Sequence, residues 1–130
     1  MRRSALWKKR NEERRSRREA LLARASEVIL QKQLFLDPEL QFNDVVRATG
    51  TNRTYMWDAI HNLGFGFKGW LARFRLVYFI EHAWLEEYRR LSCDEIAERC
   101  GFNSRKMLDR YLKKALGVTT SRYMELLRRR

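Results

Sequence analysis

The sequence predicts an all-α fold. Six glycines and one proline in 130 residues leave the chain few places to break, and nowhere does it sustain the strict apolar–polar alternation of a half-buried strand. Apolar residues recur instead at helical spacing over long runs. A repeat adds to this: Gly50 and Gly101, 51 positions apart, each end a short helical run and precede a longer amphipathic one. With 45% apolar residues, a chain of this length can bury one core of ordinary size.

The first helix is expected over about Glu19 to Phe35, with Leu22, Ala25, Ile29 and Gln33 in one register and Leu21, Val28 and Lys32 beside it. It can continue N-terminally into the basic residues before it. Leu34-Phe35-Leu36 forms an apolar plug, and Pro38 disfavours helix at Asp37. Gln41 or Asn43 starts a short second helix that ends at Gly50, where a residue without Cβ can take positive φ. Asn52 can cap the next helix, which turns Met56, Ala59, Ile60 and Leu63 inward.

Lys68 to Tyr88 is the longest uninterrupted helical run in this reading. About 20 residues would span roughly 30 Å, close to the roughly 34 Å that separates successive major grooves on one face of B-DNA. Ser92 and Glu95 then match the S-x-x-E capping box and open the second copy, Ile96 to Cys100, before Gly101. Asn103 is the cap expected for the following helix, with Leu108, Tyr111, Leu112 and Ala115 inward. Gly64 to Leu71 matches Gly117 to Met124 at an offset of 53, so the copies share a plan without being identical. A last helix begins at Thr120 or Ser121 and carries Tyr123, Met124 and Leu127.

Charge narrows the class of partner. The formal net charge is +12, of which residues 1–24 supply +7, and the isoelectric point is near 10.4. Such an excess points to an anionic partner, nucleic acid or an acidic membrane surface. Cys93 and Cys100 lie seven apart without a CxxC or Cys/His cluster, which fits a reduced intracellular protein with no metal. Cys100 is expected to be a small buried residue and Cys93 a half-exposed one. No run approaches the roughly 18 to 20 apolar residues of a membrane span, and no signal peptide is evident, so a soluble cytoplasmic protein is expected. His61 and His82 stand alone, no nucleophile–base set appears, and the glycines of 64–69 follow a helix rather than a strand. The chain is therefore not expected to be an enzyme or to carry a cofactor.

In each pair the side chains left outside the packing face are types that read base edges. The first pair leaves Asn52, Arg53, Thr54, Trp57, Asp58 and His61; the second leaves Asn103, Ser104, Arg105, Lys106, Asp109, Arg110, Lys113 and Lys114. Arg can bridge guanine O6 and N7, Asn can bridge adenine N6 and N7, and Asp can accept from cytosine N4. Ser104, Arg75, Lys113, Lys114 and Arg122 are the expected phosphate contacts, which fix register without reading sequence.

Four segments together, Leu34-Phe35-Leu36-Asp37-Pro38, Gly50-Thr51-Asn52-Arg53-Thr54-Tyr55, Arg73-Phe74-Arg75-Leu76 and Ile96-Ala97-Glu98-Arg99-Cys100-Gly101-Phe102-Asn103-Ser104, resemble the AraC/XylS family of bacterial transcription regulators, in the variants common in Bacteroidetes. The resemblance covers about residues 25 to 127. It implies seven helices in two helix-turn-helix subdomains, about 37–66 and 89–130, joined by a linker helix of about 68–88 and preceded here by a basic arm, 1–24. It also implies one recognition helix per subdomain in the major groove, with base-facing positions at Asn52, Arg53, Thr54, Trp57 and Asp58, then at Arg105, Lys106, Met107, Asp109 and Arg110. Arginine is common where this chain has Asp58, and serine where it has Trp57. Gly66 stands where a serine usually caps the linker helix.

The function expected is sequence-specific binding of double-stranded DNA and transcription regulation, with RNA polymerase as a partner, no evident small-molecule effector site and a nucleoid location. Most relatives carry a separate sensory or dimerisation domain, so the chain is either a minimal regulator or a fragment. Trp7 followed by Lys8-Lys9-Arg10 resembles the flank of a membrane span. The alternative is thus a cytosolic output or interaction module of a larger, membrane-anchored signalling protein.

Overall fold

The computed structural model describes residues 2–129, and among these every regular element is helical. In order they are α1 (Arg2–Gln31), a 3-10 turn (Leu34–Leu36), α2 (Phe42–Thr49), α3 (Arg53–His61), α4 (Gly66–His82), α5 (Glu86–Arg89), α6 (Cys93–Arg99), α7 (Arg105–Leu116) and α8 (Thr120–Arg128). The all-α expectation of about seven helices is met by eight. None of them is long and apolar enough to cross a membrane. The chain divides into two compact units, one of residues up to Gln33 with Gln41–Phe67, the other of Leu34–Leu40 with the residues from Lys68 onward.

In the first unit α1 packs on both α2 and α3. Its buried stripe, Leu21, Ala25 and Ile29, has the i, i+4 spacing of a single helix face, and α2 and α3 in turn bury Val45 and Val46 and Met56, Ala59 and Ile60. The helix is continuous from Arg2, so no joint sets a basic arm apart at residue 24. It stops at Gln31, short of the expected Phe35, where Gln33 turns left-handed at φ 51°. Gln41 caps α2, its side chain accepting from the Asp44 amide while the Asp44 carboxylate accepts from the Gln41 amide. Gly50 ends α2 at φ 76°, ψ 35°. Arg24 of α1 donates from Nη2 to the Thr49 carbonyl at 2.8 Å, placing a cation at the negative end of that helix.

The second unit is built around Phe79, Ala83, Tyr88, Ile96, Ala97, Cys100, Phe102, Leu108, Leu112 and Met124, all buried. The helical run does not reach Tyr88 unbroken: α4 ends at His82, and a turn in which the Leu85 amide donates to His82 O at 2.9 Å leads into α5. Helical spacing explains the break. Phe79 and Ala83 are four apart, and a continued helix would next bury Glu86 or Glu87. Breaking it sends both glutamates to the first turn of α5, where carboxylates suit the helix dipole, and brings Tyr88 into the core.

The segment Leu34–Leu40 is anchored in this unit by Arg75. That side chain is only 9% exposed and donates from Nε to Phe35 O at 2.7 Å and from Nη2 to Asp37 O at 2.9 Å. Burial lowers its pKa, an effect opposed by the charge of Asp37. Gly101, at φ 91°, is locked against the same segment: a Cβ there would lie 2.2 Å from Phe35 O and 3.0 Å from Arg75 Nε. No side chain fits. Arg75 is therefore a structural strut and not the phosphate contact expected from its position and charge.

Candidate functional site

Two helices present the outward faces expected of the repeat, α3 after Gly50 and α7 after Gly101. Each is capped at its start, though by different residues. Asn52 accepts from the Tyr55 amide at 2.9 Å. In the second pair the cap is Ser104, not Asn103: its Oγ accepts from the Met107 amide at 3.2 Å. The extra residue between glycine and helix in that pair moves the cap by one, leaving Asn103 exposed ahead of the helix. Asn52 and Ser104 thus each use a side-chain acceptor on their own helix.

On α7, Leu108 and Leu112 are fully buried and Tyr111 is half-buried, while Ala115 is exposed, against expectation. The inward face ends one turn early, before the left-handed Gly117 that stops the helix. Opposite lie Arg105, Lys106, Arg110, Lys113 and Lys114, all exposed. Among the described residues Lys106, Arg110 and Lys113 have no hydrogen-bond or ion-pair partner, whereas Lys114 sits 6.0 Å from the Tyr111 ring centroid. Arg105 lies 3.7 Å from Asp109 one turn on, and Arg122 on α8 is paired with Glu125 at 3.2 Å. The stripe is a cationic surface on a rigid helix, with most of its hydrogen-bonding capacity unspent.

Asp109 departs from its expected role as a base contact. Its Oδ1 accepts from both the amide and the hydroxyl of Thr120, at 2.8 and 2.6 Å. Thr120 is fully buried at the first turn of α8, so the carboxylate serves an amide and a hydroxyl that would otherwise be orphaned. Met107, beside it, is only partly exposed.

The face of α3 is more heavily engaged. Asn52, Arg53, Thr54 and Trp57 are exposed. Arg53 donates to Asn43 of α2 and lies over the Phe42 ring at 5.5 Å. Trp57, 57% exposed, stacks on His61 with centroids 4.3 Å apart. Asp58 is half-buried because Arg18 of α1 reaches it, Nε to Oδ2 at 2.9 Å. Between α1 and α3 opens a cleft of about 600 Å³ whose walls include Arg14, Arg17 and Arg18 on one side and Thr54, Tyr55 and Asp58 on the other.

This cleft was missed in the sequence. The signal was present: Arg14, Arg17 or Arg18, Leu21 and Ala25 follow one helical stripe, so the α1 face that is buried at Leu21 and beyond becomes arginine-rich where it passes α3. Without knowing that α1 packs on α3, those arginines read only as part of a charged arm. Compared with protein-family models, with curated proteins and with solved structures, the chain matches none.

Proposed function

We propose that the protein binds double-stranded DNA in a sequence-specific manner, with α3 and α7 each laid in a major groove, and that it regulates transcription. The observation that carries this reading is the face of α7: exposed cations, three of them without a partner among the described residues, on a helix that buries Leu108 and Leu112, capped at its start and set behind a glycine turn that recurs in the first unit. Long cationic side chains held on a rigid helix and lacking partners suit phosphate and guanine contacts. The resemblance of Ile96 to Ser104 to the AraC/XylS signature supports the same reading. On it, Lys106 and Arg110 read bases, Lys113 and Lys114 hold phosphates, and RNA polymerase is the partner that makes binding regulatory.

Selection of bound duplexes from a random pool tests the proposal directly. A single consensus is expected, with affinity falling steeply as salt rises. Arg110→Ala should cost about 1 to 3 kcal/mol and relax preference at one base pair. Equal binding of every duplex by wild type and variant would falsify sequence-specific recognition.

A second reading has its own observation. Leu6 and Trp7 are 55% and 65% exposed on the basic N-terminal turns of α1, a combination suited to an anionic lipid surface. Salt-sensitive binding to phosphatidylserine vesicles without any duplex binding would favour it.

A further inference from the structure

The cleft between α1 and α3 concentrates positive charge against the helix proposed to enter DNA. Arg14, Arg17, Arg18 and Arg24 line it; Arg24 is held by the Thr49 carbonyl, and Asp58, the one carboxylate among the described residues of its wall, pairs with Arg18. Arg14 and Arg17 have no hydrogen-bond or ion-pair partner among the described residues. Cations that line one cleft repel one another, and an anion among them relieves the repulsion.

How Arg18 is held identifies the kind of anion. Its Nε is taken by Asp58 at 2.9 Å, and its side chain is 28% exposed. Nη1 and Nη2 make no bond among the described residues. A guanidinium fixed through Nε presents that terminal pair as a planar fork, the geometry that takes two oxygens of one phosphate. Across the cleft, Thr54 offers a hydroxyl and Tyr55, 61% exposed, a phenol, both suited to phosphate or sugar oxygens.

We propose that this cleft seats the phosphodiester strand bordering the groove that α3 enters. Arg14, Arg17 and Arg18 are then phosphate ligands, and Asp58 is a positioning residue that holds Arg18 instead of reading a cytosine. The proposal rests on duplex binding as read above and adds α1 to the DNA-contacting elements of the first unit. The guanidinium arrives from α1, and the aspartate aims it.

The test uses the full chain, a selected duplex and affinities measured across a salt series. Arg14→Ala with Arg17→Ala should make the log affinity against log salt slope shallower by about 2, close to 0.9 per lost phosphate contact, and leave the consensus unchanged. Arg18→Ala and Asp58→Ala should each weaken binding about tenfold for every sequence alike. The two combined should do no more than either alone, because they act as one unit. Thermal melting of each variant guards against misfolding. A changed base preference in Asp58→Ala would show direct readout by the aspartate and overturn its positioning role. Binding weakened by Arg110→Ala but indifferent in strength and slope to every cleft substitution overturns the cleft assignment alone. Failure of wild type to bind any duplex overturns both readings. Free ATP bound through Arg14 and Arg17, with duplex binding untouched by their loss, assigns the cleft to a small ligand and overturns the proposal.

Discussion

The two glycine turns have the same backbone sign and opposite surroundings. Gly50 takes φ 76° with nothing nearer to a Cβ position than Arg24 Nη2 at 4.0 Å, whereas Gly101 takes φ 91° with Phe35 O at 2.2 Å from that position. The helices that follow differ in the same way. The outer face of α3 is met by an arginine from α1, and that of α7 carries three cations without partners among the described residues. Local sequence sets the turn and the helix; what packs beside them decides whether an outward side chain is spent on the fold or kept for a partner.

Substituting each glycine should expose the difference most strongly. Gly50→Ala carries only the strain of a left-handed non-glycine residue, about 1 to 2 kcal/mol. Gly101→Ala carries that strain and a clash with backbone that cannot move without displacing Leu34–Leu40 and Arg75, together about 3 kcal/mol or more. Urea unfolding followed by far-ultraviolet circular dichroism gives both values. Equal losses would mean that the contact at Gly101 relaxes freely and that the turns are alike.

A smaller contrast lies between two aspartates at the outer faces of the helices. Asp109→Ala orphans the buried amide and hydroxyl of Thr120, for a loss of about 1 to 3 kcal/mol. Asp58→Ala removes an ion pair whose carboxylate is 47% exposed, for about 0 to 1 kcal/mol. On the proposed seating of DNA, the order should reverse in duplex affinity, because Asp58 would aim Arg18 while the carboxylate of Asp109 is held by Thr120. A stability loss at Asp58 as large as that at Asp109 would make it a fold residue and blur the distinction.

What was legible in the sequence follows the range of the forces involved. Helix type, the two positive-φ glycines, the Ser92–Glu95 box and the buried residues Met56, Ala59 and Ile60 of α3 and Leu108 and Leu112 of α7 depend on residues a turn apart, and the structure has them where the pattern put them; Leu63 and Ala115, at the far ends of the two stripes, are half-buried and exposed. The break after His82 depended on the competition between two glutamates and Tyr88 for one core position, which spacing alone does not settle. Arg75 and Asp109 looked like surface contacts because their partners, Phe35 O and Thr120, lie 40 and 11 residues away. The α1–α3 cleft was hidden for the same reason: its two walls are far apart in sequence, and each reads as solvated charge by itself.

The residues just before the glycines give a last, finer contrast. Thr49 and Cys100 are both buried, but only the cysteine ionises. Burial pushes the Cys100 thiol up from 9.0 to about 12, and burial also raises the nearby Tyr88 phenol. A thiol raised on folding stays protonated in the native state while the unfolded chain has already lost its proton. Its contribution to stability is therefore whole below about pH 9 and is lost as pH climbs toward 12, by up to about 1.4 kcal/mol per pH unit. Wild type should thus lose melting temperature faster between pH 9 and 11 than Cys100→Ala does, with Tyr88 leaving some slope in the variant. At pH 8, iodoacetamide should label half-exposed Cys93 readily and Cys100 only as the second unit opens. Amide exchange should place the alkaline weakening in α6 and α7 before α2 and α3, because Thr49 has no proton to lose. Parallel slopes for wild type and variant, or prompt labelling of both thiols, would show the second turn to be no better packed than the first.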